Sequence, residues 1–228
     1  MVLSPNQAMV RRPVQLSLPA PRTWGGRRPG AGRKPTPGRR PGVPHRPRPP
    51  HVAPHPVHVT LRSVETIRCL RAARVFPCVR RALAASSRPD FRIIQFTVQN
   101  DHVHLIAEAD TRPALSSGLR GLAIRMAKAV NVALRRRGRV WGDRYHARPL
   151  TTPREVRHCL VYVLMNFRKH LKHVTGIDPC SSAAWFAGWR AAPAADGIGP
   201  PPVAAARTWL ARLGWRRYGP LSLDERPK

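Results

Sequence analysis

The chain has 228 residues, of which 41 are Lys or Arg and 11 are Asp or Glu, a formal net charge of +30. A compact fold carrying that charge alone repels itself, so a polyanionic partner is expected. A hydrophobic fraction of 42% excludes disorder over the full length, and 26 Pro with 16 Gly exclude regular structure throughout. No apolar run approaches the roughly 20 residues of a membrane span, and the proline-interrupted stretch Met1 to Ala20 lacks a secretory apolar core. Cys69, Cys78, Cys159 and Cys180 show no CxxC spacing, so a reduced cytoplasmic chain without structural zinc is expected.

Residues 1–54 hold 11 Lys or Arg, no acid and 13 of the prolines. Too few apolar residues remain there to offset ordering entropy, and the segment reads as a disordered basic Pro/Gly-rich arm. Residues 55–175 carry 23 basic and 7 acidic side chains and show clear hydrophobic periodicity, which marks the folded domain. Residues 176–228 carry 7 basic and 4 acidic side chains and read as a C-terminal extension with a short helix. There Trp209, Leu210, Leu213 and Trp215 form an amphipathic element expected to pack back on the core, with a stacking platform for bases as the alternative use.

In chain order, His55–Arg62 alternates with Val57, Val59 and Leu61 on one side, a strand. Val75–Ala85 has helical spacing. Phe91–Gln99 and His102–Ala109 are β-rich runs joined by Asn100-Asp101, a pair suited to a tight hairpin. Leu115, Leu119, Leu122, Met126, Val130 and Leu134 repeat at helical spacing, with Arg135-Arg136-Arg137-Gly138 expected to close that helix on a C-cap glycine. Asp143–Leu150 reads as a fourth strand. Thr152-Pro153-Arg154-Glu155 is a capping box that starts a last helix, whose stripe is Val156, Leu160, Val163, Leu164, Phe167 and Leu171. The order strand, helix, strand, strand, helix, strand, helix predicts an α+β fold, an antiparallel sheet with helices packed on one face, ferredoxin-like and RRM-like.

Two features in this frame can carry chemistry. His102 and His104 alternate to one face of their strand about 7 Å apart, close enough to share a metal, although paired surface histidines also arise without one. Tyr162 and Asn166 lie four apart on the last helix and point the same way; the bland reading of Tyr162 is a half-buried aromatic.

Asp101-His102-Val103-His104-Leu105 resembles the His-hydrophobic-His (HUH) motif of single-tyrosine transposases. Val140-Trp141-Gly142-Asp143-Arg144-Tyr145-His146-Ala147-Arg148, followed by Tyr162-Val163-Leu164-Met165-Asn166, is similar to the second half of the insertion-sequence-200-like transposase domain, including the REP-associated tyrosine transposases. The likeness runs from about His55 to Leu171, with Asp101 where many relatives have Asn and Asn166 where some have Gln. It implies an HUH fold and a metal-dependent DNA transesterase. Tyr162 is then the nucleophile that forms a 5′-phosphotyrosine, and His102, His104 and Asn166 are ligands of a divalent cation, Mg²⁺ or Mn²⁺. The implied partner is single-stranded or hairpin DNA, the implied location nucleoid-associated cytoplasm, and a homodimer that exchanges tyrosine helices is compatible with the family.

The residues expected at nucleic acid are Arg120, Arg125, Lys128, Arg144, His146, Arg148, Arg168 and Lys169, each of which has a solvated face as its plain reading. Tyr145 is expected in a structural or DNA-contact role, and His158 at phosphate or simply in solvent. Glu108 is expected as an outer-shell orienter of the histidines or as a solvated edge carboxylate. The rival function is a non-catalytic DNA- or RNA-binding protein, a domesticated transposase relative.

Overall fold

The structure is a computed structural model that describes residues 50–169, 176–191, 193 and 199–227. Most of the expected basic arm, together with Leu171, lies outside the described residues. The described residues fall in one unit that spans Gly42–Lys228.

Four strands form a single antiparallel sheet: β1 (Val57–Arg62), β2 (Phe91–Val98), β3 (His102–Ala109) and β4 (His146–Pro149), in the order β2-β3-β1-β4. That order places the first and third strands at the centre, as the ferredoxin-like connection pattern requires. In β1, Val57, Val59 and Leu61 are buried on one face, while His58, Thr60 and Arg62 turn to the other. The same parity runs through β3, where Val103, Leu105, Ala107 and Ala109 oppose His102, His104, Ile106 and Glu108. β2 carries one residue too many for this parity. Ile93 pairs with Ala107 and Gln95 with Ile106, so a bulge at Ile94 keeps Phe91, Ile93, Phe96 and Val98 all on the first face.

Helices α1 (Phe76–Ala84) and α2 (Arg112–Ala133) cover the first face. Thr111 caps α2 by accepting from the Ala114 amide, and the buried positions Leu115, Gly118, Leu119, Leu122, Met126 and Val130 recur at turns of the helix. Gly118 is required by close approach: a Cβ there would lie 2.3 Å from Phe91 Cγ. The expected closure at Gly138 is displaced. α2 ends at Ala133, and Arg135, at φ 50°, takes the left-handed turn in place of a glycine, while Gly138 O accepts from Asn131 Nδ2 farther along. β4 is also shorter than expected. Trp141 pairs with Ser63 and donates from Nε1 to Ala123 O, and the chain then leaves the ladder until His146.

α3 (Pro153–Leu164) starts on the expected capping box, with Thr152 and Glu155 satisfying each other's backbone amides. The antiparallel α+β architecture is as expected, but the helices are not all on one face. α3 packs on the second face with Ile94 and Ile106, because its stripe Val156, Leu160, Val163 and Leu164 meets the side of β3 that carries the histidines.

The segment after residue 176 completes this face. Cys180 O and Ser182 pair with the outer edge of β2, and the buried Asp178 carboxylate receives two Arg71 guanidinium hydrogen bonds at 2.7 Å. Farther on, α4 (Trp209–Arg212) and a 3₁₀ turn (Gly214–Tyr218) pack Leu210 and Trp215 into the α3 cluster. Arg157 of α3 holds Glu225 at 2.8 Å through both guanidinium nitrogens.

Candidate functional site

On the second face the sheet register sets Thr97, His104, Thr60 and His146 in one row and Arg62 beside His102. α3 lies over this row and directs Tyr162 at it. The Tyr162 hydroxyl is 3.2 Å from His104 Nε2, and the two rings meet edge to face with centroids 4.9 Å apart. The His102 and His104 rings are 4.6 Å apart. The sequence-derived nucleophile and histidine pair therefore converge within one chain.

Each histidine has an anchoring partner on Nδ1. His102 Nδ1 meets Asp101 Oδ1 at 2.6 Å, which assigns the Nδ1–H as donor and, in the neutral ring, puts the lone pair on Nε2. Partial burial opposes charge on Asp101, but the hydrogen bonds from His102 and Arg62 outweigh it and hold the carboxyl below its usual range. His104 Nδ1 is 3.0 Å from Thr60 Oγ1. Of the two placements of the single ring proton, the one with Nδ1–H donating to Thr60 lets Nε2 accept from the Tyr162 hydroxyl. Burial, with smaller contributions from His102, His58 and Lys169, pushes His104 down to about 3, so the ring is neutral across the ordinary pH range.

A third imidazole joins this cluster. His58, one register position from Thr60 on β1, has its ring 5.3 Å from His104 and edge-on to Tyr162 at 5.6 Å. Burial, then Arg148 and His146, lower it to about 4, and its buried Nε2 has no hydrogen-bond partner. Sequence reasoning passed over His58, Thr60 and the pairing of Asp101. The available signal was the alternation of β1, which puts His58, Thr60 and Arg62 opposite the apolar positions.

Asn166 departs from the expected geometry. α3 ends at Leu164, and Asn166 opens a 3₁₀ turn, Asn166–Lys169, so it does not continue the Tyr162 face as an α-helical i+4 residue would. It is 2% exposed and its Oδ1 is buried without a partner. Among the described residues no three His, Cys, Asp or Glu side chains group closely enough to hold a metal by themselves. A cation here would use two imidazoles and an amide, and the orphaned Oδ1 with the free lone pair of His102 Nε2 fits such a donor set. His104 Nε2 has one lone pair, so it serves either the phenol proton or a cation.

The basic residues separate into two groups. His146 and Arg148 on β4 are exposed and share the face of Thr60 and His58; Arg148 also meets Glu155 at 3.2 Å. Lys169 sits over the Tyr162 ring at 4.5 Å, and Arg168 is partly buried against Phe167. Arg144 is exposed in the loop before β4, beside Tyr145, which packs on the first-face core. Arg120, Arg125 and Lys128 are exposed on α2, behind the sheet from Tyr162, so the structure does not bring them to the site; Arg125 donates to Ser86 Oγ. His158 is exposed.

Glu108 is neither a solvated edge carboxylate nor an orienter of the histidines. It is fully buried and accepts from Arg92 Nε, the Arg207 and Thr208 amides and Thr208 Oγ1, which ties the C-terminal segment to the histidine strand. The acceptor comes from β3 and three of its donors lie about 100 residues later, beyond the reach of local pattern.

The fold and the histidine face thus define a ferredoxin-like α+β domain with a tyrosine helix across the sheet. No protein-family model matches the chain, and no curated protein does. Eight chains of solved structures match it. One is a REP-associated tyrosine transposase bound to a REP hairpin, with a TM-score of 0.51 and 19% identity, covering 71% of this chain and 92% of that one. The likeness shows a shared fold. No helix among the described residues is long and apolar enough to cross a membrane.

Proposed function

We propose that the protein is a transposase-like DNA strand transferase in which Tyr162 attacks a backbone phosphate of single-stranded or hairpin DNA. The observation that carries this reading is the 3.2 Å approach of the Tyr162 hydroxyl to His104 on the His102/His104 strand. Support comes also from the fold shared with a REP-associated tyrosine transposase, itself bound to a REP hairpin. A Tyr162 O–P bond forms as the P–O3′ bond breaks; the phenol loses its proton, the departing 3′ oxygen gains one, and a 5′-phosphotyrosine results. The ester keeps the bond energy, so a 3′-hydroxyl can reverse the step.

The residues divide this work. His104, held by Thr60, orients the phenol oxygen, and Lys169 over the Tyr162 ring places a positive charge beside the developing anion and the phosphate. Arg144, His146 and Arg148 offer charge to the strand along the β4 edge, and Arg168 sits at the exit of the tyrosine helix. His102, His104 and Asn166 would hold a divalent cation, Mg²⁺ or Mn²⁺, with His104 Nε2 then turned from the phenol to the ion, and the cation would supply charge neutralisation at the phosphate. Because Tyr162 meets His104 of its own chain, the arrangement supports action in cis without exchange of helices between copies. The rival, a non-catalytic RRM-like binder, needs an open sheet face for bases. α3 and the C-terminal segment cover that face here.

The test is incubation with 5′-tailed single-stranded hairpin DNA and Mn²⁺, followed by denaturing electrophoresis. An SDS-stable protein–DNA adduct is expected from the wild type and none from Tyr162→Phe. An adduct that survives the substitution removes Tyr162 as nucleophile, and hairpin binding without any adduct supports the domesticated, non-cutting relative.

A further inference from the structure

We infer that the outward side of the C-terminal turn, residues 209–218, is a second nucleic-acid surface that takes an unpaired DNA strand by base stacking and phosphate contact. It extends the DNA reading above from the phosphate at Tyr162 to the strand beside it. The turn has two sides. Leu210 and Trp215 are buried against α3, whereas Trp209, Leu213 and Tyr218 are 48%, 46% and 52% exposed, the largest apolar exposures of the C-terminal segment. An element needed only to seal the core has no use for two large aromatic rings in water.

Trp209 and its buried neighbour Trp215 each carry a cation. Arg217 lies over the Trp209 ring at 4.9 Å and Arg216 over Trp215 at 5.0 Å, with Arg212 exposed one helical turn from each. The sequence has no Asp or Glu from 197 to 223, so no carboxylate competes for these guanidinium groups along the segment. The indole is seated rather than loose: a Cβ on Gly214 would come within 2.7 Å of Trp209 Cζ3. A preset ring with arginines around it suits a planar base next to a phosphate. A duplex hides its base faces, and a second copy of a +30 chain brings charge of the same sign, so an unpaired strand is the occupant the chemistry selects. Because the turn packs on α3, that strand would run beside the helix that carries Tyr162.

The experiment is fluorescence anisotropy of a labelled oligothymidine without a hairpin, on the full chain in chelator, across a salt series. Trp209→Ala/Tyr218→Ala is expected to weaken binding on the order of tenfold per ring with the salt slope unchanged. Arg212→Gln/Arg216→Gln/Arg217→Gln is expected to reduce the salt slope by about 2. Tyr218→Ala alone is the guard against misfolding, since its ring is mostly in solvent, and should give the single-ring loss with an unaltered melting curve. Wild-type affinity in the aromatic variants, or equal losses on a blunt duplex, overturns the proposal, as does a loss confined to the arginine variant, which would mark a plain electrostatic surface. Oligothymidine binding that needs this face in a protein forming no adduct defeats the Tyr162 reading and leaves this one standing; an adduct with no effect of these substitutions does the reverse.

Discussion

The two faces of the sheet use the same strands for opposite ends. Under α1 and α2 the buried side chains of the strands are apolar, Val57, Val59, Leu61, Phe91, Phe96, Val103 and Leu105 among them. Under α3 the same strands present His58, Thr60, Thr97, His104 and Glu108. The difference follows from period-2 alternation alone: β3 sorts Val103 and Leu105 from His102 and His104 with no change of backbone. The first face can be filled for volume, whereas the second must find a partner for each polar atom. It leaves His58 Nε2 and Asn166 Oδ1 without one. Orphaned acceptors and donors are costly in a core and useful at a site.

Substitutions on the two faces should therefore separate activity from stability. The largest effect belongs to Tyr162→Phe, which should abolish the DNA adduct while costing roughly 0.5–1.5 kcal/mol for one lost hydrogen bond, read from urea unfolding. Intact adduct formation would erase the functional contrast between the faces.

Glu108→Ala should come next, at about 3–5 kcal/mol, because it leaves Arg92 Nε and the Arg207 and Thr208 amides without their acceptor, although Arg92 keeps Asp110. The same variant should make the C-terminal segment more protease-sensitive before the sheet unfolds; simultaneous loss of both would mean that the segment and the sheet are one cooperative unit. On the dry face, Gly118→Ala should cost about 1–3 kcal/mol by pressing a methyl group into the Phe91 ring, with adduct formation reduced only as far as the folded fraction falls.

A further effect is one of pH. His58 and His104 are lowered from 6.5 to about 4 and about 3, so the unfolded chain binds protons that the folded chain refuses. The contribution of these two histidines to stability in chelator should be flat above pH 6.5 and fall below it, by up to about 1.4 kcal/mol per pH unit for each group, until the folded values are reached. His58→Leu should flatten part of that limb, which thermal melts between pH 7 and 4.5 would show.

Much of this was legible locally. The alternation of β1 and β3, the Asn100-Asp101 hairpin and the Thr152/Glu155 capping box each depend on residues within a few positions, and each is present where expected. That His102 and His104 share a face was legible for the same reason, as i, i+2 spacing fixes which side chains of a strand point together. The side of the sheet taken by α3 was not, since an apolar stripe states that a helix packs and not against which face. The roles of Glu108 and His58 were also hidden: one is defined by amides about 100 residues away, the other by a strand register. Arg135 shows the limit of residue preference at a helix end: the local closing bonds Arg135 N to Val132 O and Arg136 N to Asn131 O form around a non-glycine residue in the left-handed region.

The bulge at Ile94 bears on how this gene can change length. Deleting one residue anywhere in the middle of β3 would reverse every side chain beyond it, sending a histidine into the oil or a leucine into the water. At Ile94 the parity is already broken once, so losing that residue would restore plain alternation and keep Phe91, Ile93, Phe96 and Val98 inward and Thr97 beside His104. A one-codon deletion at this point thus keeps the facing of β2 at the cost of the Ile94 side chain under α3, while the same event in the neighbouring strand turns its remaining side chains over.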